Sequence, residues 1–325
     1  MAETFDQFEK RNRELFLWLF LFQSYLQGIK ARFANEYSRH LAVLLAQFTQ
    51  YINAVRYETL DGFRKAELRQ FIWQLKEAEA GFYSKYVNEL IAQLQAFVEV
   101  DQDAATKIYE AAFTQSVGEA EEARAHGSHR GITAATEPQT LWSVIKNTPV
   151  GATGMYPVEM INEMALTHLK KTNALIQRAY VNGWDKPTLI TAFRDQFAIF
   201  NNQAATNTST VIQHAHAITN LAVGSIFLAA YMWCSILDEK TTDFCIEHNG
   251  NVYQNGKGPV PPGHYGCRAH TMPVVAVEDN IQMPTQSAYV GTLAVSIQDM
   301  IRGISATRPL TDDQFRAKIV SFINK

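Results

Sequence analysis

Two short stretches hold most of the residues able to do chemistry. Cys245-Ile-Glu-His248-Asn-Gly250 is followed by Pro262-Gly-His264-Tyr-Gly-Cys267-Arg268-Ala-His270, so two of three cysteines and three of nine histidines share one window. Cys245-x-x-His248 and His264-x-x-Cys267 are chelating pairs whose two-residue gap lets both members reach one ion from a tight turn. Four nitrogen and sulfur donors suit tetrahedral zinc, and His270 offers a competing ligand. Such an ion would stabilise a loop-rich module too small to hold itself by apolar burial. Two metal-free readings stay open: a buried hydrogen-bonded cluster, and a Cys245 to Cys267 disulfide formed only outside the cell. A hydrolytic zinc centre needs an open coordination position and a general base. Asp243 and Glu247 lie close enough in sequence to keep that chemistry in play, although carboxylates in a turn are more often solvated. Cys267 beside His264 lacks a visible oxyanion site for nucleophilic catalysis. Arg268 is expected to bind a carboxylate such as Asp238 and tie the module together.

The elements around this cluster are mainly helical, an α+β class dominated by α. From Leu26 apolar residues recur at Ile29, Phe33, Tyr37, Leu41, Leu44, Phe48, Tyr51 and Val55, a stripe on one face of a long helix. TLDGF at 59–63 reads as a turn, and a second helix shows Phe71, Leu75, Ala78, Phe82, Tyr86, Leu90, Leu94 and Phe97. VDQDAA at 100–105 reads as a break with a new cap. Residues 1–117 are therefore expected to form a helical bundle or hairpin, and 118–140, where the apolar period fades, a linker holding His126 and His129 as solvated loop residues.

A second domain is expected over 141–277: a short helix, the loop NTPVGATGMYP, a helix from Val158 to Asn182-Gly183, another from Asp185-Lys-Pro187 to Phe197, and a longer one over about 203–230. His168, His214 and His216 do not converge on one helix face and read as structural or exposed. Past Tyr231 the texture turns to short strands. MWCSIL reads as a buried strand, NGNVYQNGKG as a hairpin-like excursion, and His270 to Val275 as a strand confined to an edge by Pro273. The Cys/His cluster thus belongs to a small β-rich module over 231–275, and 278–325 returns to helical patterning as a C-terminal tail.

Composition narrows the function classes. The chain has 325 residues, 47% hydrophobic and 19% charged, with net charge -3, which fits neither disordered chains nor dedicated nucleic-acid binders. The acidic, mixed-charge start MAETFDQFEKRNRE is unlike a signal peptide and points to a protein made and kept in the cytosol. LFLWLFLF at 15–22 would extend only ~12 Å as a helix, too short to span a bilayer. The apolar run at 221–237 reads as a buried helix entering a buried strand rather than a membrane span.

One resemblance rests on the order of landmarks: Trp233, Asp238-x-x-Thr241, Cys245, Gly250, Pro261-Pro262, His264 and Cys267-Arg268. Together these resemble the signature of the phage Mu F-like head morphogenesis family, and the helices leading into them are similar to that domain's lead-in. The resemblance covers roughly 140–277. Members commonly read Cys-Arg-Cys where this chain has Cys267-Arg268-Ala269. The family residues carried over are Asp238, Thr241, Cys245, His264, Cys267 and Arg268. The resemblance implies a structural, non-enzymatic minor capsid protein of a tailed phage, present in several copies inside the virion near the portal after synthesis in the host cytoplasm. Its partners would be the portal protein and the major capsid or scaffolding protein, with contact to packaged DNA, and it would be able to leave with the genome. The competing class is a metal-dependent nuclease or delivered effector enzyme.

Overall fold

The computed structural model describes residues 5–113, 138–228, 230–237 and 239–274, together with Gln314 and Ala317. Of the expected 118–140 linker, residues 118–137 fall outside these residues and 138–140 instead open the helix Pro138–Lys146; His126, His129, Asp238 and the 278–325 tail also fall outside, apart from the helical state of Gln314 and Ala317. Two long helices open the fold, α1 (Phe5–Ala54) and α2 (Lys65–Phe113), followed by α3 (Pro138–Lys146), α4 (Pro157–Val181) and α5 (Lys186–Phe227). A small sheet comes last, with β1 (Ala230–Cys234), the short helix α6 (Asp243–His248), β2 (Val252–Gln254) and β3 (His270–Val274). Among the described residues no helix is long and apolar enough to cross a membrane.

The chain divides into two compact units that interleave along the sequence. Unit 1 takes Met1–Ile29, Leu94–Pro157 and Thr210–Lys325, and unit 2 takes Lys30–Gln93 and Val158–Ser209. These units do not follow the consecutive blocks, 1–117 and then 141–277, expected from the sequence: each draws on both sides of the linker.

Unit 2 is built from the apolar stripes. Phe33, Tyr37, Leu41, Leu44, Phe48 and Ile52 of α1 are buried, as are Phe71, Leu75, Tyr83, Tyr86 and Leu90 of α2. The Phe48 ring packs edge-on to Phe193 of α5 at 5.0 Å. Turns in this unit follow their sequence signals: Gly183 holds φ 59 after α4, which favours a residue without a Cβ, and Asp185 Oδ1 accepts from the Thr188 amide at 2.9 Å, capping α5. A polar seam runs through the helices. His168 Nε2–H donates to Gln203 Oε1 at 3.0 Å, leaving Nδ1 to accept from the Tyr83 hydroxyl at 2.6 Å. Burial pushes the His168 ring down to about 4, so it is neutral near pH 7.

Two expected breaks are absent. α2 runs unbroken through 100–105, because Asp101 is buried beside His216 instead of capping a new helix. α5 likewise runs through 198–202, where no glycine or proline interrupts it and Phe197 and Phe200 stay on its buried side.

In unit 1 the sheet is antiparallel with order β2-β1-β3. β1 is central and wholly buried, and pairs Trp233 with Thr271 and Cys234 with His270. Pro273 sits on edge strand β3, where its missing N–H breaks no ladder on the outer side. One face of α5 holds the segment leading into β3. Thr210 Oγ1 accepts from the Gly266 amide at 3.2 Å, Gln213 Nε2 donates to the Ala269 carbonyl at 2.8 Å, and Asn220 Nδ2 donates to the Thr271 carbonyl at 2.6 Å. Between them His216 Nε2 meets His270 Nδ1 at 3.0 Å. These four positions fall three or four apart, so a single polar stripe of the helix fixes the height and register of residues 266–271.

Candidate metal centre

β1 delivers Trp233 to one face of the sheet, and that ring forms a buried cluster with Cys245, Cys267 and Ala269. Ser235, next in line, secures Cys245. Its hydroxyl accepts from Trp233 Nε1–H at 2.8 Å and donates to the Cys245 carbonyl at 2.7 Å, while its amide donates to Asn249 Oδ1 at 2.8 Å. Thr241 Oγ1 donates to the Ile236 carbonyl, closing the turn into α6. Cys245 thus sits on a six-residue helix rather than the tight turn expected from its spacing. The second pair is presented by a loop: Gly266 holds φ 70, and the Cys267 amide donates to the His264 carbonyl at 3.2 Å.

Cys245, His264 and Cys267 converge, with their donor atoms all within 4.8 Å of one another. Cys245 Sγ lies 3.6 Å from Cys267 Sγ and 3.1 Å from His264 Nε2. A tetrahedral zinc with ordinary bond lengths would hold two sulfurs about 3.8 Å apart and a sulfur and nitrogen about 3.6 Å apart. These two spacings lie within about half an ångström of those values, and the third, between Cys267 and His264, is no more than 4.8 Å. Both thiols are free, and 3.6 Å is far from the ~2.05 Å of a disulfide bond. His264 Nδ1–H donates to the Tyr265 carbonyl at 2.9 Å, which fixes the tautomer and leaves the Nε2 lone pair facing the sulfurs.

The sulfurs behave as one acid pair. A hydrogen bond from Cys245, helped by backbone amides and His264, draws the Cys267 thiol down, while sharing that bond and burial push Cys245 up. One proton shared between two sulfurs leaves a binding cation one fewer to displace than two neutral thiols would. The third cysteine plays no part in the group. Cys234 is buried in β1, and burial alone pushes its thiol up to about 12.

The remaining candidates are placed elsewhere. His248 does not join the three donors: its ring stacks on Phe244 at 4.1 Å and stands 5.5 Å from Trp233. His270 faces away, into the chain Asp101 to His216 to His270, with His216 Nδ1 3.1 Å from Asp101 Oδ1. Asp243 and Glu247 are exposed, and among the described residues no carboxylate enters the group. Arg268 is half-buried, and its expected partner Asp238 lies outside the described residues. Sequence reasoning missed Ser235, Asp101 and the α5 stripe. For Asp101 a signal existed, since it falls in step with Val98, Ala105 and Ile108 on the buried face of α2.

Fold and site together define a mainly helical protein with a small three-stranded antiparallel sheet beside a Cys/His group that could hold a metal ion such as zinc. Comparison with protein-family models, with characterised proteins and with solved structures gives no match.

Proposed function

We propose that this chain is a structural minor head protein of a tailed phage, and that its Cys/His module is a zinc-held brace rather than a catalytic centre. One observation carries the reading. The landmarks of the Mu F-like resemblance that can be described, from Trp233 to Arg268, belong to one compact module, and three of its residues, Trp233, Cys245 and Cys267, share a buried cluster with Ala269. A sheet of five, three and five residues is too small to be stable by itself, so a bound ion would contribute directly to its folding. Exposed Asp243 and Glu247 give the metal no buried base, which favours the brace over hydrolysis.

The test is quantitative mass spectrometry of purified DNA-filled particles and of particles that have ejected their DNA, counting this chain against portal subunits. A few copies per filled particle are expected, and their loss after ejection would make the protein a delivered one. Absence from both kinds of particle overturns the structural reading. DNA cleavage by the purified protein with zinc, magnesium or manganese, abolished by Glu247→Gln, would establish the nuclease in its place.

A further inference from the structure

Three donors leave a tetrahedral ion one position short, and the structure offers a specific candidate for it. His248 lies one turn along α6 from Cys245, on the same side of the helix by its three-residue spacing. Its Nδ1 is buried and has no hydrogen-bond partner. Its ring packs among Phe244, Trp233 and Tyr253, and the last two also belong to or pack against the cluster that contains both sulfurs. A buried imidazole nitrogen with nothing to bind is costly, and stacking against aromatic faces does nothing to satisfy it.

We infer that His248 is held in reserve beside the centre and supplies its Nδ1 as the fourth ligand when zinc binds, closing a Cys2His2 site. The inference rests on the metal-brace reading and deepens it, because a fourth protein ligand makes the ion structural and removes the open position that hydrolysis requires. Binding would turn the His248 ring from its stack on Phe244 towards the sulfurs.

Two measurements on the full-length protein test this. In the first, zinc X-ray absorption of the wild-type chain is expected to show two sulfur and two imidazole ligands. Two sulfurs with a single imidazole and a water would overturn the inference while leaving the brace standing. The second is a titration with cobalt(II), read by its visible absorption, for wild type, His248→Ala and Lys240→Ala. Loss of groups that only support a ligand typically costs about 10- to 100-fold in metal affinity, so loss of a direct ligand should weaken cobalt by more than about 100-fold and change the tetrahedral band. Lys240→Ala, exposed and outside the group, should match wild type. A His248→Ala protein binding cobalt as tightly as wild type, with the same spectrum, overturns the inference. Failure of the wild type to bind zinc or cobalt at all would overturn both the inference and the brace.

Discussion

Glu79 lies wholly inside unit 2 on α2, where Thr172 Oγ1 donates to its Oε1 at 2.8 Å and its Oε2 has no partner. Burial pushes this carboxyl up to about 7 from 4.5, with the Thr172 bond opposing the shift. Between those two values the folded chain keeps a proton that the unfolded chain releases, so the folded state loses stability as pH rises from 4.5 to about 7 and levels off above. Glu79→Gln abolishes that loss. At about pH 8 the variant should exceed wild type by up to about 3 kcal/mol, with the advantage vanishing near pH 4.5. Denaturant unfolding at both pH values checks this, and a difference independent of pH would refute the buried-carboxyl account. Residues of this kind are hard to see in a sequence. Ala78 and Phe82 fit the α2 stripe by spacing as well as Glu79 and Tyr83 do, and a charged residue is naturally assigned to water. The fold nevertheless buries Glu79 and Tyr83 and leaves Ala78 and Phe82 only half-buried. His264 and Cys267 were legible as a pair because their two-residue gap lets a tight loop bring imidazole and sulfur together, whereas Cys245, 19 and 22 residues away from them, is brought in by the fold. The orientation of His248 was not, because it depends on a stacking partner that no spacing rule reads.

At the scale of elements, the packing of α5 against β3 positions Cys267, and Gly224 marks a close approach. A Cβ built there would lie 2.5 Å from Pro273 Cγ, against the ~3.5–4.0 Å of an ordinary carbon contact. Within a helix, Gly→Ala is normally stabilising by about 1 kcal/mol. Here the sign should reverse: Gly224→Ala forces the proline ring and its strand outward, with an expected cost of about 1–3 kcal/mol. Thermal unfolding should show a lower Tm for the variant, and a higher one would mean that the strand yields freely. Sequence patterning located this helix and the strands near β1 and β3, but read the β2 region as a hairpin-like excursion and divided α5 in two. An apolar stretch resuming near residue 203 looks like a new helix when the turns before it are counted as polar. The stripe of Thr210, Gln213, His216 and Asn220 was missed for a related reason. Its partners are carbonyls, an amide and a ring some fifty residues away, and local periodicity holds no information about them.

At the scale of the whole molecule, interleaving has a consequence that consecutive domains would lack. Residues 1–117 contain only part of unit 1 and only Lys30–Gln93 of unit 2, while the remaining pieces of both units come after the linker. The buried faces of α1 and α2 in unit 2 meet α4 and α5, as in the contacts of Phe48 with Phe193 and of Tyr83 with His168, so the first helices alone would expose those stripes to water. A fragment of residues 1–117 should therefore be helical by circular dichroism yet unfold without a cooperative transition, and so should 138–325. Mixing the two should restore one cooperative transition, because each supplies the missing surfaces of both units. If the fragment 1–117 by itself unfolds as sharply and at the same temperature as the intact chain, its hairpin is self-sufficient and the interleaved division is wrong. Sequence reading placed the boundary at the linker because composition changes there. Which helices share a core is set by long-range packing, and a polar connection between two halves of the same core looks no different in sequence from a polar connection between two domains.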